Sequence, residues 1–377
     1  MATDVYQKLA RHLDSLPGGF PPSEDGVELK ILKKLFTPEQ AELAVLCTLI
    51  PEPARVLARR AKRPVEEIKA RLDEMVDQGL ILGMYPKGGE PLYMAAQYVI
   101  GIWEYNVNNL DEELVGLMNA YIPTLFNLEA WDKAPQLRTI PVGKSIEAGH
   151  RVMPHEQAEE LIRRQKKLWV APCICRREHK LVGKGCGKME EACLIFGTGA
   201  YYYEHRGVGR SIDQEEALAI IRKADEQGLV LQPTNAEKII NICCCCGDCC
   251  QVLKTLKRHP RPAELASTPF VAAADPGECI GCGECVERCQ MEAISLDQED
   301  RVVLAAERCI GCGLCVSTCP SGALTLERKP QERQKPVPPD VRAMGLALAR
   351  ARGKLGSGQV AMMGLKSKLD RLLAAKK

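Results

Sequence analysis

The sequence predicts a multidomain α+β chain, on three observations. Residues 27–100 place apolar side chains at helical spacing in three successive stretches, then in two short runs flanking Pro86-Lys87-Gly88-Gly89-Glu90. The middle alternates helical stretches with short apolar runs and carries ten cysteines between positions 173 and 250. Near the C-terminus the spacing Cys-x2-Cys-x2-Cys-x3-Cys occurs twice. A chain of 377 residues has room for two or three domains. The patterning divides it into an extension (1–26), an N-terminal domain (27–100), a mixed α/β Cys-rich domain (101–258), a linker (259–274), a doubled cysteine module (275–327) and a basic tail (328–377), helical or disordered.

In the N-terminal domain, Thr37-Pro38-Glu39 starts a helix: a cap residue, proline at the first helical position, then an acid. Pro53 to Ala61 reads as a second helix. Pro64 to Gln78 reads as a third, with Val65, Ile68, Leu72, Met75 and Val76 on one face and Gly79 as its stop. Leu80–Tyr85 and Pro91–Ala95 form a hairpin. This layout resembles the winged helix-turn-helix of bacterial regulators, which implies DNA binding. The third helix speaks against that activity, because Glu66, Glu67, Asp73, Glu74 and Asp77 outweigh Lys69 and Arg71, and a phosphate backbone repels acids. Arg55, Arg59, Arg60, Lys62 and Arg63 do form a basic cluster before it. Docking to another protein is the expected role, with DNA as the alternative.

In the middle, residues 98–128 read as helical, as do 154–168. A short strand, Trp169–Pro172, runs into Cys173-Ile174-Cys175, with Cys186 and Cys193 beyond. Ser211 and Gln214 suggest a capping box, and Gly228 ends that helix. Cys243, Cys244, Cys245, Cys246, Cys249 and Cys250 follow. Six cysteines within eight residues are hard to explain by packing, so all ten are candidate metal ligands. Four thiolates suffice for one cubane cluster or one tetrahedral zinc, and Cys173, Cys175, Cys186 and Cys193 are one such set. Both iron–sulfur and zinc stand open here. Gly197-Thr198-Gly199 lacks the lysine of a phosphate-binding loop. His179 and His205 are expected to be exposed polar residues rather than ligands. No nucleophile–base arrangement is legible, so no catalytic residue is assigned.

The doubled run reads Cys279, Cys282, Cys285, Cys289, then Cys309, Cys312, Cys315, Cys319 and Pro320. Gly281 and Gly283, and again Gly311 and Gly313, leave few side chains in the way of a wrapped group. The module resembles bacterial 2[4Fe-4S] ferredoxins. The resemblance implies two [4Fe-4S] clusters, with the fourth cysteine of each run crossing to the other cluster. Cluster one would use Cys279, Cys282, Cys285 and Cys319; cluster two would use Cys309, Cys312, Cys315 and Cys289. Gln290 departs from the family, which has proline there as at Pro320.

Nineteen cysteines without a visible export signal argue for metal ligation in a reducing, cytoplasmic and anaerobic setting, not for disulfides. No apolar run is long enough to span a membrane. The net charge of +2 conceals an asymmetry: from Arg328 onward 13 Lys and Arg face 3 Asp and Glu, whereas segment 275–327 has 10 acids and 3 bases. Together these features predict an iron–sulfur electron-transfer protein, a subunit or partner of a larger oxidoreductase rather than a stand-alone enzyme. The alternatives are a redox-responsive winged-helix regulator and an enzyme with a catalytic Cys-rich cluster.

Overall fold

A computed structural model describes residues 4–145, 153, 156–354 and 357–374. The chain divides into two compact units. One comprises Met1–Asn127, Tyr202–Val208 and Gly345–Lys377; the other comprises Leu128–Tyr201 and Gly209–Met344.

In the first unit, helix Pro38–Leu46 opens with a capping box. Thr37 Oγ1 accepts from Gln40 N at 3.2 Å, and Gln40 Oε1 accepts from Thr37 N at 3.0 Å. A two-residue strand, β1 (Glu52–Pro53), leads into helix Ala54–Ala61. Helix Val65–Asp77 follows and buries Ile68, Leu72, Met75 and Val76. Gly79 ends it at φ +75°, where an L residue would be strained. Strands β2 (Ile81–Met84) and β3 (Leu92–Ala95) pair antiparallel, and β1 joins β3, giving the order β1-β3-β2. The helical stretch expected over 98–128 is broken: Val99, Ile100 and Gly101 are non-helical, a single turn of helix follows at Trp103–Tyr105, and a longer helix forms at Glu112–Leu125.

The tail folds as two helices, Val341–Ala351 and Ser357–Ala374. The second lies on helix Ala54–Ala61 through Asp370, which pairs with Arg59 at 3.0 Å and Arg60 at 2.9 Å. Arg60 also reaches Glu52, fully buried, at 2.7 Å. The basic cluster before the third helix is thus largely spent on internal partners. Arg55 pairs with Glu90, and Arg63 with Glu39 and Glu67.

The second unit is built on a five-stranded sheet. Its strands are β4 (Leu168–Pro172), β5 (Glu191–Phe196), β6 (Arg210–Ser211), β7 (Val230–Pro233) and β8 (Asn241–Cys245), in the order β6-β4-β5-β8-β7, with every pairing antiparallel. The helix expected over 154–168 spans only Ala158–Arg163, and Pro154 lies outside the described residues. The cap of helix Gln214–Glu226 is Asp213, not Ser211. Its carboxylate accepts from Glu216 N at 2.8 Å, while Ser211 sits in β6.

Where the prolines suggest a linker, the chain forms helix Pro262–Leu265 and strand β9 (Phe270–Ala274). The hairpin β10 (Ile294–Leu296) and β11 (Val302–Leu304) follows, then β12 (Leu324–Arg328), which pairs antiparallel with β9 from Leu324↔Ala274 to Arg328↔Phe270.

Candidate metal centres

The doubled cysteine run forms two loops, each followed by a short helix, Glu284–Arg288 and Leu314–Thr318. Gly281, Gly283, Gly311 and Gly313 all adopt φ between +64° and +77°, which bends the backbone around each set of thiols. One pocket is lined by Cys279, Cys282, Cys285 and Cys319 together, so the last cysteine of the second run lies with the first run. Cys289 in turn faces Cys309, Cys312 and Cys315 electrostatically. Backbone N–H groups donate to these sulfurs: Ala293 N to Cys289 at 3.1 Å, and Ala272 N to Cys309 at 3.3 Å. Donors of this kind stabilise thiolate, the form that binds iron. The eight residues therefore fit the clusters that this spacing implies.

The two sets differ in exposure. Cys282 is exposed and Ile280 beside it is 67% exposed. Cys309 and Cys315 are buried, and burial pushes the Cys312 thiol up to about 12. Val142 N donates to Cys312 O at 3.0 Å, closing the second loop over.

The ten middle cysteines do not form the four-residue set suggested by 173–193. Strand pairing regroups them. Cys193 on β5 lies directly opposite Cys243 on β8. Cys243 and Cys245 share one face of β8, and the two-residue period of a strand turns Cys244 to the other. Cys244 is buried, and burial pushes its thiol up to about 12. A series of electrostatically coupled thiols then runs Cys173, Cys175, Cys250, Cys245, Cys243, Cys193.

Its members alternate. Cys173, Cys250 and Cys243 are lowered, first by hydrogen bonds from neighbouring thiols; Cys175 and Cys245 are raised by donating them. Cys173 and Cys250 are also the N-cap residues of helices Ile174–Leu181 and Gln251–Arg258, where free N–H groups favour a thiolate. Asn241 Nδ2 donates to Cys243 Sγ at 3.3 Å.

Cys186, Cys246 and Cys249 form a separate group with all three sulfurs within 4.8 Å of one another. Arg176, 3% exposed, lies near thiols of both groups; burial opposes its charge, but the surrounding thiols together hold its pKa above the ordinary range. Its Nη2 donates to Cys244 O at 2.8 Å, while its Nε finds no partner among the described residues. Sequence reasoning missed this residue, although Arg176 directly follows Cys175. His179, expected at the surface, is buried: its Nδ1 lies 2.8 Å from Cys175 O and its Nε2 3.0 Å from Lys254 Nζ.

Gln290 joins the cysteine module to the middle cysteines. Its Oε1 accepts from Gly247 N at 2.6 Å, between Cys246 and Cys249. A Cβ on Gly247 would lie 2.8 Å from Gln290 O, so glycine is what allows the approach. Nearby, Asp225 pairs with Arg288 at 2.6 Å and accepts from Ser317 Oγ at 2.8 Å.

No curated protein and no solved structure matches the chain. No helix among the described residues is long and apolar enough to cross a membrane. Residues 272–326 match the family model described as a 4Fe-4S dicluster domain. Set beside eight thiols on two glycine-bent loops, that match makes the segment a 4Fe-4S ferredoxin-type domain within an iron–sulfur protein.

Proposed function

We propose that this protein carries single electrons between a redox partner and a further sulfur-ligated metal centre of its own, as a subunit or partner of a larger cytoplasmic oxidoreductase. Clusters of the ferredoxin type supply one-electron uptake and release. The residues set a direction. Cys282 and Ile280 present the first ligand set to solvent, where a partner can approach. Cys309 and Cys315 keep the second set inside the unit.

The observation that carries the reading is the Gln290–Gly247 hydrogen bond. It connects Cys289, one residue away in sequence, to a loop holding Cys246 and Cys249 and flanked by Cys245 and Cys250. The tail helix Ser357–Ala374 supports docking. Its inward side holds Asp370, while Met362, Leu365, Leu369 and Leu372 are 55–70% exposed.

The test is anaerobic reconstitution of the full chain, with iron, sulfide and zinc measured, and a pull-down under the same conditions. Metal beyond the roughly eight irons of two cubane clusters, and a co-purifying flavin or metal oxidoreductase, are expected. Eight irons with no further metal would remove the third centre from the proposal.

The order of helices and strands in residues 27–100 favours the regulator as a second reading. Ion pairs on Arg55, Arg59, Arg60 and Arg63 weigh against it, since DNA binding draws on free cations. Specific DNA binding that changes with redox state, at fixed salt, would reverse that preference.

A further inference from the structure

We infer that the middle cysteines serve two centres, and that Cys186, Cys246 and Cys249 hold a single tetrahedral metal ion whose fourth position is left to a non-protein ligand. The inference deepens the proposed function and rests on its claim that the middle domain binds metal.

Spacing carries the argument. The Cys186 and Cys246 sulfurs are 3.7 Å apart. A tetrahedral ion with metal–sulfur bonds of about 2.3 Å has sulfur–sulfur edges of about 3.8 Å. One ion suits that edge, and the other two edges are at most 4.8 Å. The ferredoxin domain provides a comparison within the same chain, for no three of its eight thiols lie within 4.8 Å of one another. Cubane ligands stand around a larger body, and the three middle thiols are drawn tighter.

The local sequence agrees. Cys246-Gly247-Asp248-Cys249 has the Cys-x2-Cys spacing of a zinc knuckle. Cys186 comes from the loop 182–190, where Gly183 and Gly187 take φ of +72° and +70°. That loop brings one further thiol, and among the described residues no fourth His, Cys, Asp or Glu joins the group. Cys186 is only partly buried, whereas Cys246 and Cys249 are buried.

Charge also closes. Three thiolates around a divalent ion leave one negative charge, and Arg176 supplies one buried positive charge beside Cys246 and Cys186. The remaining array has six coupled thiols, with Cys193 directly opposite Cys243, more than one tetrahedral ion can use, and so suits a sulfide-bridged iron centre.

The test compares Cys249→Ser with Cys193→Ser in the full chain, reconstituted anaerobically with Fe2+ and sulfide, with and without Zn2+. Cys249→Ser should lose one metal ion per chain and no sulfide; Cys193→Ser should keep that ion and lose iron with sulfide. Loss of several irons with matching sulfide from Cys249→Ser, or loss of no metal, would overturn the single-ion site. If Cys193→Ser loses nothing, the six-thiol centre fails while the single-ion site stands. Should Cys249→Ser not fold, Co2+ substitution of the wild-type chain decides: one cobalt with tetrahedral ligand-field bands and thiolate charge-transfer bands is expected, and their absence refutes the site. Competition between Zn2+ and Fe2+ identifies the ion.

Discussion

Replacing Gln290 with methionine removes one hydrogen-bond acceptor and keeps nearly the same volume. In the native chain that acceptor lies 2.6 Å from Gly247 N. The N–H is hemmed in, because Gln290 O is only 2.8 Å from where a Cβ of Gly247 would stand. An unsatisfied donor in such a place costs about 1–3 kcal/mol. The Gln290→Met chain should therefore unfold in urea with its free energy lowered by about that amount, followed by loss of cluster absorbance under anaerobic conditions. Gln298→Met is the control: Gln298 is exposed in the same domain, and its replacement should stay within about 0.5 kcal/mol of the parent. The same bond joins the residue after Cys289 to the loop between Cys246 and Cys249. Rapid-freeze paramagnetic resonance after reduction should thus show the middle centre filling more slowly in Gln290→Met. A variant indistinguishable from the control in both measurements would refute the assignment of this contact as a joint or a route.

Asp225→Ala should cost about 3–5 kcal/mol, because it leaves the mostly buried Arg288 guanidinium without its carboxylate; faster proteolysis within 270–330 would report it. Asp370→Asn should loosen helix Ser357–Ala374 by about 1–3 kcal/mol, discounted because Arg59 is partly exposed, and hydrogen exchange over 357–374 would show no change if the pairs contribute nothing. His12 is held below its ordinary range by burial, against a weaker hydrogen bond that it donates to the Cys47 backbone. The unfolded chain therefore takes up a proton near pH 6.5 that the folded one refuses, so stability should be full above about pH 6.5 and fall as pH drops below it. His12→Gln should flatten that slope, and a slope of the opposite sign would contradict the burial argument.

The ferredoxin-type cysteines were legible because three of the four in each spatial set come from one short run, so sequence spacing tracks spatial grouping. The middle cysteines were legible as candidate ligands, but their grouping was not. Cys193 and Cys243 are fifty positions apart, and only the register of β5 against β8 makes them neighbours. Adjacent positions misled in the same way: Cys244 looks like its neighbours until the strand's alternation turns it away. Asp213 rather than Ser211 caps its helix because a strand pairing claims Ser211 first. His179 is polar and lies on a charged helix, which reads as surface, yet the carbonyl of Cys175 and Lys254 give it partners inside. Helical periodicity did locate helices Pro38–Leu46, Ala54–Ala61 and Val65–Asp77, though not Val5–Ser15 and Val27–Leu35 before them.

Strands β9 and β12 have a consequence for how the ferredoxin domain can be transplanted. They bring its entry and exit side by side, residue 270 against residue 328. A segment closed at its own ends behaves like a plug-in cassette: a host chain can accept it at one surface position without rerouting its own backbone. Orientation then depends on fasteners beyond the plug, here Gln290 on Gly247 and Arg288 on Asp225. An ordinary ferredoxin grafted between the same two strands would keep its own clusters and, with proline at the position of Gln290, arrive without one of the fasteners that aim it.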